Sequence, residues 1–147
     1  MNANASPQGL PLLKPPYGRI TAINLDRGEF VWQVPHGETP DSVRNHPALK
    51  GLNIPRTGQS GAVGALVTKT LVIAGDPLAT TGANRPRGAM LRAYDKTNGR
   101  EVGTIYMPAP QSGTPMTYAV NGRQFIVVAV SGGVYSGEYI AFALPAK

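Results

Sequence analysis

Residues 91–110, LRAYDKTNGREVGTIYMPAP, place two runs of alternating apolar and polar positions on either side of a polar turn, DKTNG. Period-two alternation broken by an Asx and a Gly predicts a β-hairpin. The Asx side chain bonds backbone amides in the turn, and the Gly supplies a φ > 0 position. The same pattern stands upstream. ITAINLDRGEFVWQV (20–34) aligns without a gap on LRAYDKTNGREVGTI (91–105): Ala22 falls on Ala93, Asn24 on Asp95, Gly28 on Gly99 and Val31 on Val102. A third fragment, YIAFA (139–143), places Ala141 over Ala93. Two full copies and a fragment exceed what isolated hairpins would give by chance.

Further strand pairs lie between the copies, at residues 64–75 around KT and 115–130 around NG. No stretch of ten or more residues has helical periodicity. Four antiparallel strands recurring about every 45 residues is the spacing of a β-propeller blade. With strands lettered A to D from the ring axis outward, the chain reads C-D, then A-B-C-D, then A-B-C. The predicted fold is therefore all-β, built of four-stranded antiparallel propeller blades, about two to a chain. Residues 1–15 are expected to form a flexible lead-in and residues 16–147 the partial propeller. An insertion, residues 36–59, lengthens the first interval. Such a piece leaves open sheet edges. Completion of a ring by copies of the chain is the expected remedy, four chains closing eight blades.

Composition narrows the picture. With 18 Gly, 14 Pro and 41% hydrophobic residues, the chain suits many short strands better than disorder. The absence of Cys excludes disulfides and thiolate metal sites. A net charge of +6 is spread along the chain, and three Phe and one Trp are few for base stacking, so nucleic acid is not the expected partner. No apolar run has the length of a membrane span. MNANASPQGLPLL lacks the basic and apolar regions of a signal peptide, so a cytoplasmic location is expected for the sequence as written.

AYDKTNGREVGTIYMPAPQSGTPMTYAVNGRQFIVVAVSGG followed by GEYIAFALP resembles the C-terminal end of a pyrroloquinoline quinone (PQQ)-dependent dehydrogenase of the glucose dehydrogenase type. YGRITAINLDRGEFVWQVPHGE is similar to the blade before it, with Trp32 at the family's blade-docking tryptophan. The resemblance covers residues 10–145. It implies that Trp32 is buried against the next blade, while Gly103 stands where a second docking tryptophan is expected. It implies PQQ as cofactor, with calcium, in a periplasmic eight-bladed parent. The family carries its catalytic aspartate, calcium ligands and most quinone contacts in earlier blades, so no catalytic residue is assigned here. Only Gly132 and Gly133 match a place where the family brings backbone close to the quinone.

Loop lengths predict which face carries a site. The A-B and C-D turns are short. The connections on the other face, 36–61, 76–88, 107–114 and 131–137, are long, and function concentrates on such loops. They hold Arg44, Lys50, Arg56, Arg85 and Arg87 against Glu38, Asp41 and Asp76. Arg56 and Arg87, with Tyr135 of the Gly-rich loop, are thus candidate contacts for an anionic ligand. The main reading is a segment of a quinoprotein sugar or alcohol dehydrogenase that lacks a full quinone site. The alternative is a short homo-oligomeric propeller whose basic channel binds an anionic small molecule or nucleotide cofactor, with an acquired reductase or hydrolase activity. His36 and His46 are read as loop histidines, too few and too far apart for a metal site. Met107 and Met116 are read as packing residues.

Overall fold

The computed structural model describes residues 7–144. Its strands fall into three antiparallel sheets. The first is a hairpin of β1 (Arg19–Asn24) and β2 (Glu29–Pro35). The second runs β3 (Leu66–Val67), β4 (Leu71–Gly75), β6 (Arg85–Asp95), β7 (Glu101–Met107) from one edge to the other. A short strand, β5 (Thr80–Gly82), folds back on the start of β6. The third sheet runs β8 (Met116–Val120), β9 (Arg123–Gly132), β10 (Tyr135–Ala143). The sheets thus hold two, four and three strands in chain order, with β5 beside the second. Of the predicted segments 1–15 and 16–147, residues 1–6 and 145–147 lie outside the described residues.

The repeat holds in atomic detail. In the first turn Asn24 Oδ1 accepts from the amides of Asp26 and Arg27, at 3.0 and 3.1 Å. In the second, Asp95 Oδ1 accepts from the Thr97 amide at 2.8 Å. Gly28 and Gly99 both take positive φ, 65° and 72°. Each hairpin also carries a β-bulge at the same repeat position, between Ala22 and Ile23 and between Ala93 and Tyr94. A bulge reverses which face the residues beyond it occupy. In the second sheet the pairing passes from Ala93↔Gly103 to Tyr94↔Glu101, so Val102 is the extra residue and Glu101 shares a face with Tyr94 and Arg92.

The two faces of the central sheet differ in chemistry. Ile73, Ala89, Leu91 and Met107 pack against Val128 and Val130 of β9, with Ala109 between them. This is the apolar core, in which each fully buried aliphatic contributes about 1.5–3 kcal/mol. The opposite face carries Val72, Ala74, Arg92 and Tyr94 and meets the first hairpin and its insertion. The insertion contains one α-helical turn, α1 (Asp41–Arg44), which buries Val43.

Several expectations require correction. The connection 76–88 is not irregular throughout, because β5 and the start of β6 form a hairpin within it. β3 is limited to two residues. Met107 is fully buried as expected, but Met116 is 52% exposed: it lies on the outer face of the third sheet with Tyr118 and Tyr139, which no sheet among the described residues covers. Trp32 is half-buried rather than buried. Its ring lies against Gly99, where a Cβ would come within 2.6 Å of it, and its Nε1 donates to the Lys96 carbonyl at 2.9 Å. Docking onto the next sheet is therefore present, but one side of the ring faces solvent.

Candidate functional site

The polar face of the central sheet is organised by Arg92. This guanidinium is 2% exposed. Its Nε donates to Asp76 Oδ1 at 2.6 Å and its Nη2 to Asp76 Oδ2 at 3.1 Å. Nη2 also reaches Glu38 Oε1 at 2.8 Å, and Nη1 reaches Glu101 Oε2 at 3.0 Å. Burial opposes its charge, but the bonds to Asp76 and Glu101 outweigh that and hold it more firmly protonated than usual. Glu38 is pulled the other way. Burial alone would raise its pKa, yet the bond and charge of Arg92, with Arg44 and Arg56 nearby, hold it below the ordinary value.

His36 and Tyr94 sit beside this network. His36 Nε2 lies 3.0 Å from the Gly75 carbonyl, which can only accept, so Nε2 carries the proton. Nδ1 then accepts from the Tyr94 hydroxyl at 3.0 Å. Burial is the largest cause lowering the His36 pKa, and the charges of Arg92 and Arg56 add to it against Gly75 and Asp76. Burial pushes the Tyr94 phenol up to about 12. His46 is also a structural residue: its Nε2 bonds the Gln8 carbonyl at 2.8 Å.

On the long-loop face, four connections wall a cleft of about 770 Å³. Pro40–Ser42 come from the insertion, Pro77–Thr80 and Arg87 from the β4–β6 region, 108–111 from the link between the last two sheets, and 131–135 from the β9–β10 turn. The link is fixed in place. Ser131 N donates to the Pro110 carbonyl and Ser112 N to the Ala129 carbonyl. Gln111 accepts from Gly75 N and donates from Nε2 to the Gly64 carbonyl at 2.7 Å.

The structure therefore gathers four of the five sequence candidates, Arg87, Gly132, Gly133 and Tyr135, around one cleft. Gly132 and Gly133 take φ of 140° and 62°, conformations that disfavour side chains, and open space lies where a Gly133 Cβ would be. The Tyr135 hydroxyl bonds Glu138, which raises its pKa. Arg56 lies outside the cleft. Its Nη1 donates to Glu101 Oε2 at 2.6 Å and its Nη2 to the Pro35 carbonyl, tying the insertion to the central sheet.

The expected surplus of positive charge over these loops is largely compensated. Arg44 pairs with Glu38 at 3.0 Å, Arg56 with Glu101, and Arg87 with Asp41. Arg85 turns back onto the Thr80 carbonyl and hydroxyl, both at 2.9 Å, closing the β5–β6 hairpin. Sequence reasoning missed Arg92. Its signal was a lone cation inside the apolar run GAMLRAY of a predicted strand.

Comparison with known proteins now bears on this geometry. The family model described as the glucose/ethanol/alcohol dehydrogenase β-propeller domain (PQQ) matches residues 1–126. The quinoprotein glucose dehydrogenase A of Acinetobacter calcoaceticus is 33% identical over 150 residues, which is 99% of this chain and 17% of that protein. The quinoprotein glucose dehydrogenase of Escherichia coli (strain K12) is 35% identical over 99% of this chain and 18% of its own length. The quinate/shikimate dehydrogenase (quinone) of Acinetobacter baylyi is 32% identical over 97% of this chain and 17% of its own. The chain thus spans less than a fifth of the length of these relatives.

Proposed function

The chain belongs to the PQQ-type glucose/ethanol/alcohol dehydrogenase β-propeller family, and from that membership we propose that it forms one wall of a quinoprotein dehydrogenase's reaction chamber while lacking a complete quinone site of its own. When bound, PQQ supplies the oxidant for an alcohol or aldose. The residues of this chain can only flank it. The open backbone at Gly132 and Gly133 suits the close approach of a flat ring. The carboxylates of the quinone call for charge-assisted partners. Arg87 is the single cation lining the described cleft, and Asp41 already compensates it. Arg56 is committed to Glu101.

The observation that carries this reading is that both candidate arginines are already paired, Arg87 with Asp41 at the cleft and Arg56 with Glu101 outside it. The test is calorimetric titration of PQQ with calcium into the chain, followed by a dye-reduction assay with glucose. No saturable binding below about 100 µM and no turnover are expected. One-to-one binding with turnover would show that the chain holds a whole site.

The exposed outer faces of the first hairpin, with Ile23 and Phe30, and of the third sheet, with Met116 and Tyr139, support completion either by a longer polypeptide or by further copies of this chain. Light scattering on the chain alone separates these two. The relatives' names include a neutral sugar, glucose, and a carboxylate, quinate.

A further inference from the structure

We propose that the Asp41–Arg87 pair sets the charge class of the ligand at this cleft, admitting a neutral polyol and turning away a carboxylate. The inference rests on the reading of the cleft as a wall of the reaction chamber. Asp41 and Arg87 are the only formally charged residues among those described as lining it, and they are paired. The pair is not symmetric. Asp41 is anchored independently of Arg87, since its carboxylate accepts from Thr81 N at 3.0 and 3.1 Å and from Thr81 Oγ1 at 3.1 Å. Arg87 is 63% exposed and has no other side-chain partner among the described residues.

An incoming carboxylate therefore meets a cation that is already compensated. If it draws Arg87 away, the negative charge of Asp41 stays at the rim because Thr81 holds it there. A neutral ligand meets neither cost. The remaining lining suits such a ligand. Pro77, Pro108 and Pro110 supply apolar surface for the C–H face of a ring, and Ser42 and Ser131, which also line the cleft, supply hydroxyls to pair with its own.

The test uses a matched pair of cyclic polyols, quinate and methyl quinate, which differ in one negative charge. Each is titrated into the full chain while the amide resonances of Ser131, Gly132 and Gly133 are followed by NMR. In the wild type, methyl quinate is expected to bind about fivefold more tightly than quinate, the ratio that one exposed charge interaction produces. Asp41→Asn should tighten quinate by about fivefold and leave methyl quinate unchanged, and added salt should erase the gain. Arg87→Gln should weaken quinate further and again leave the ester unchanged; this arm decides the matter if Asp41→Asn disturbs the fold. Equal binding of both probes by the wild type, or variants that move both probes alike, would overturn the charge assignment and leave the cleft standing as a site. If neither probe shifts these amides in any variant, the chamber reading fails and the inference fails with it.

Discussion

Gly103 offers a test of how these sheets are joined. It occupies the repeat position of Trp32, on the strand facing the next sheet. A Cβ built there meets nothing within 4 Å, and its φ lies outside the left-handed region, so a side chain brings no backbone strain. Beside it lies an apolar groove of about 240 Å³ between the second and third sheets, lined by Leu71, Ile73, Leu91, Ile105, Ile126 and Phe142. Gly103→Trp should fill this groove as Trp32 fills its own. Burying half an indole removes about 100 Å² of apolar surface, about 2.5 kcal/mol at about 25 cal/mol per Å². Replacing a strand glycine adds about 0.5–1 kcal/mol, and ordering the side chain costs about 1 kcal/mol. The net gain is about 2 kcal/mol. For a domain of this size that raises the thermal midpoint by about 4–8 °C. Differential scanning calorimetry of the wild type, Gly103→Ala and Gly103→Trp measures it. The alanine variant isolates the backbone term and should gain no more than about 1 kcal/mol. A tryptophan variant that melts no higher than the alanine variant would refute the groove-filling argument.

Two further outcomes follow from the buried polar face. Arg92→Met should cost about 3–5 kcal/mol in urea unfolding, because it leaves Asp76, which is fully buried, without its charge partner; adding Asp76→Asn should recover at least half of the loss, and no recovery would mean that stranded charge is not the cause. Stability should also fall as pH is lowered from about 7 to about 5: the folded pKa of His36 lies below its unfolded value of about 6.5, so its contribution is complete above that value and is lost on acidification. Glu38, whose folded pKa is also lowered, adds a second loss below about 4.5. A urea midpoint that stays level from about pH 7 to about pH 5 would contradict the buried neutral His36.

The strand order was readable because each hairpin repeats the same local chemistry, an Asx, a positive-φ glycine and alternation on both sides. These are near-neighbour properties, carried by Asn24 and Gly28 in one copy and by Asp95 and Gly99 in the other. Arg87 and Tyr135 reached one cleft because the rule that long connections share a face needs only the strand order, and Gly132 and Gly133, chosen from the family resemblance, lie on one of those connections. Arg56 failed for a reason alternation cannot express. Its partner, Glu101, faces Arg92 only because Val102 is bulged out of register, and nothing in the sequence REVGTI marks that bulge except its likeness to the equally bulged first copy. Counting loop arginines as free charge failed similarly, since Glu38, Asp41 and Glu101 stand 6, 46 and 45 residues from the arginines they compensate.

The buried arginine and the open cleft are parts of one arrangement. Arg92 grips Asp76, and the residues that follow, Pro77–Thr80, form one wall of the cleft. Arg92 also grips Glu38, and Pro40–Ser42, just beyond it, form the facing rim. A single guanidinium on β6 thus ties together two connecting segments, one following the first sheet and one following β4 of the second. An aliphatic residue at position 92 would pack the interface without fixing their separation, because apolar contacts tolerate sliding and directed hydrogen bonds do not. The apolar side of the same sheet has no comparable demand: Leu91 and Met107 need only volume from Val128 and Val130. The central sheet therefore holds one neighbour by shape and the other by charge, and it is the charged interface that carries the insertion and the cleft's rim.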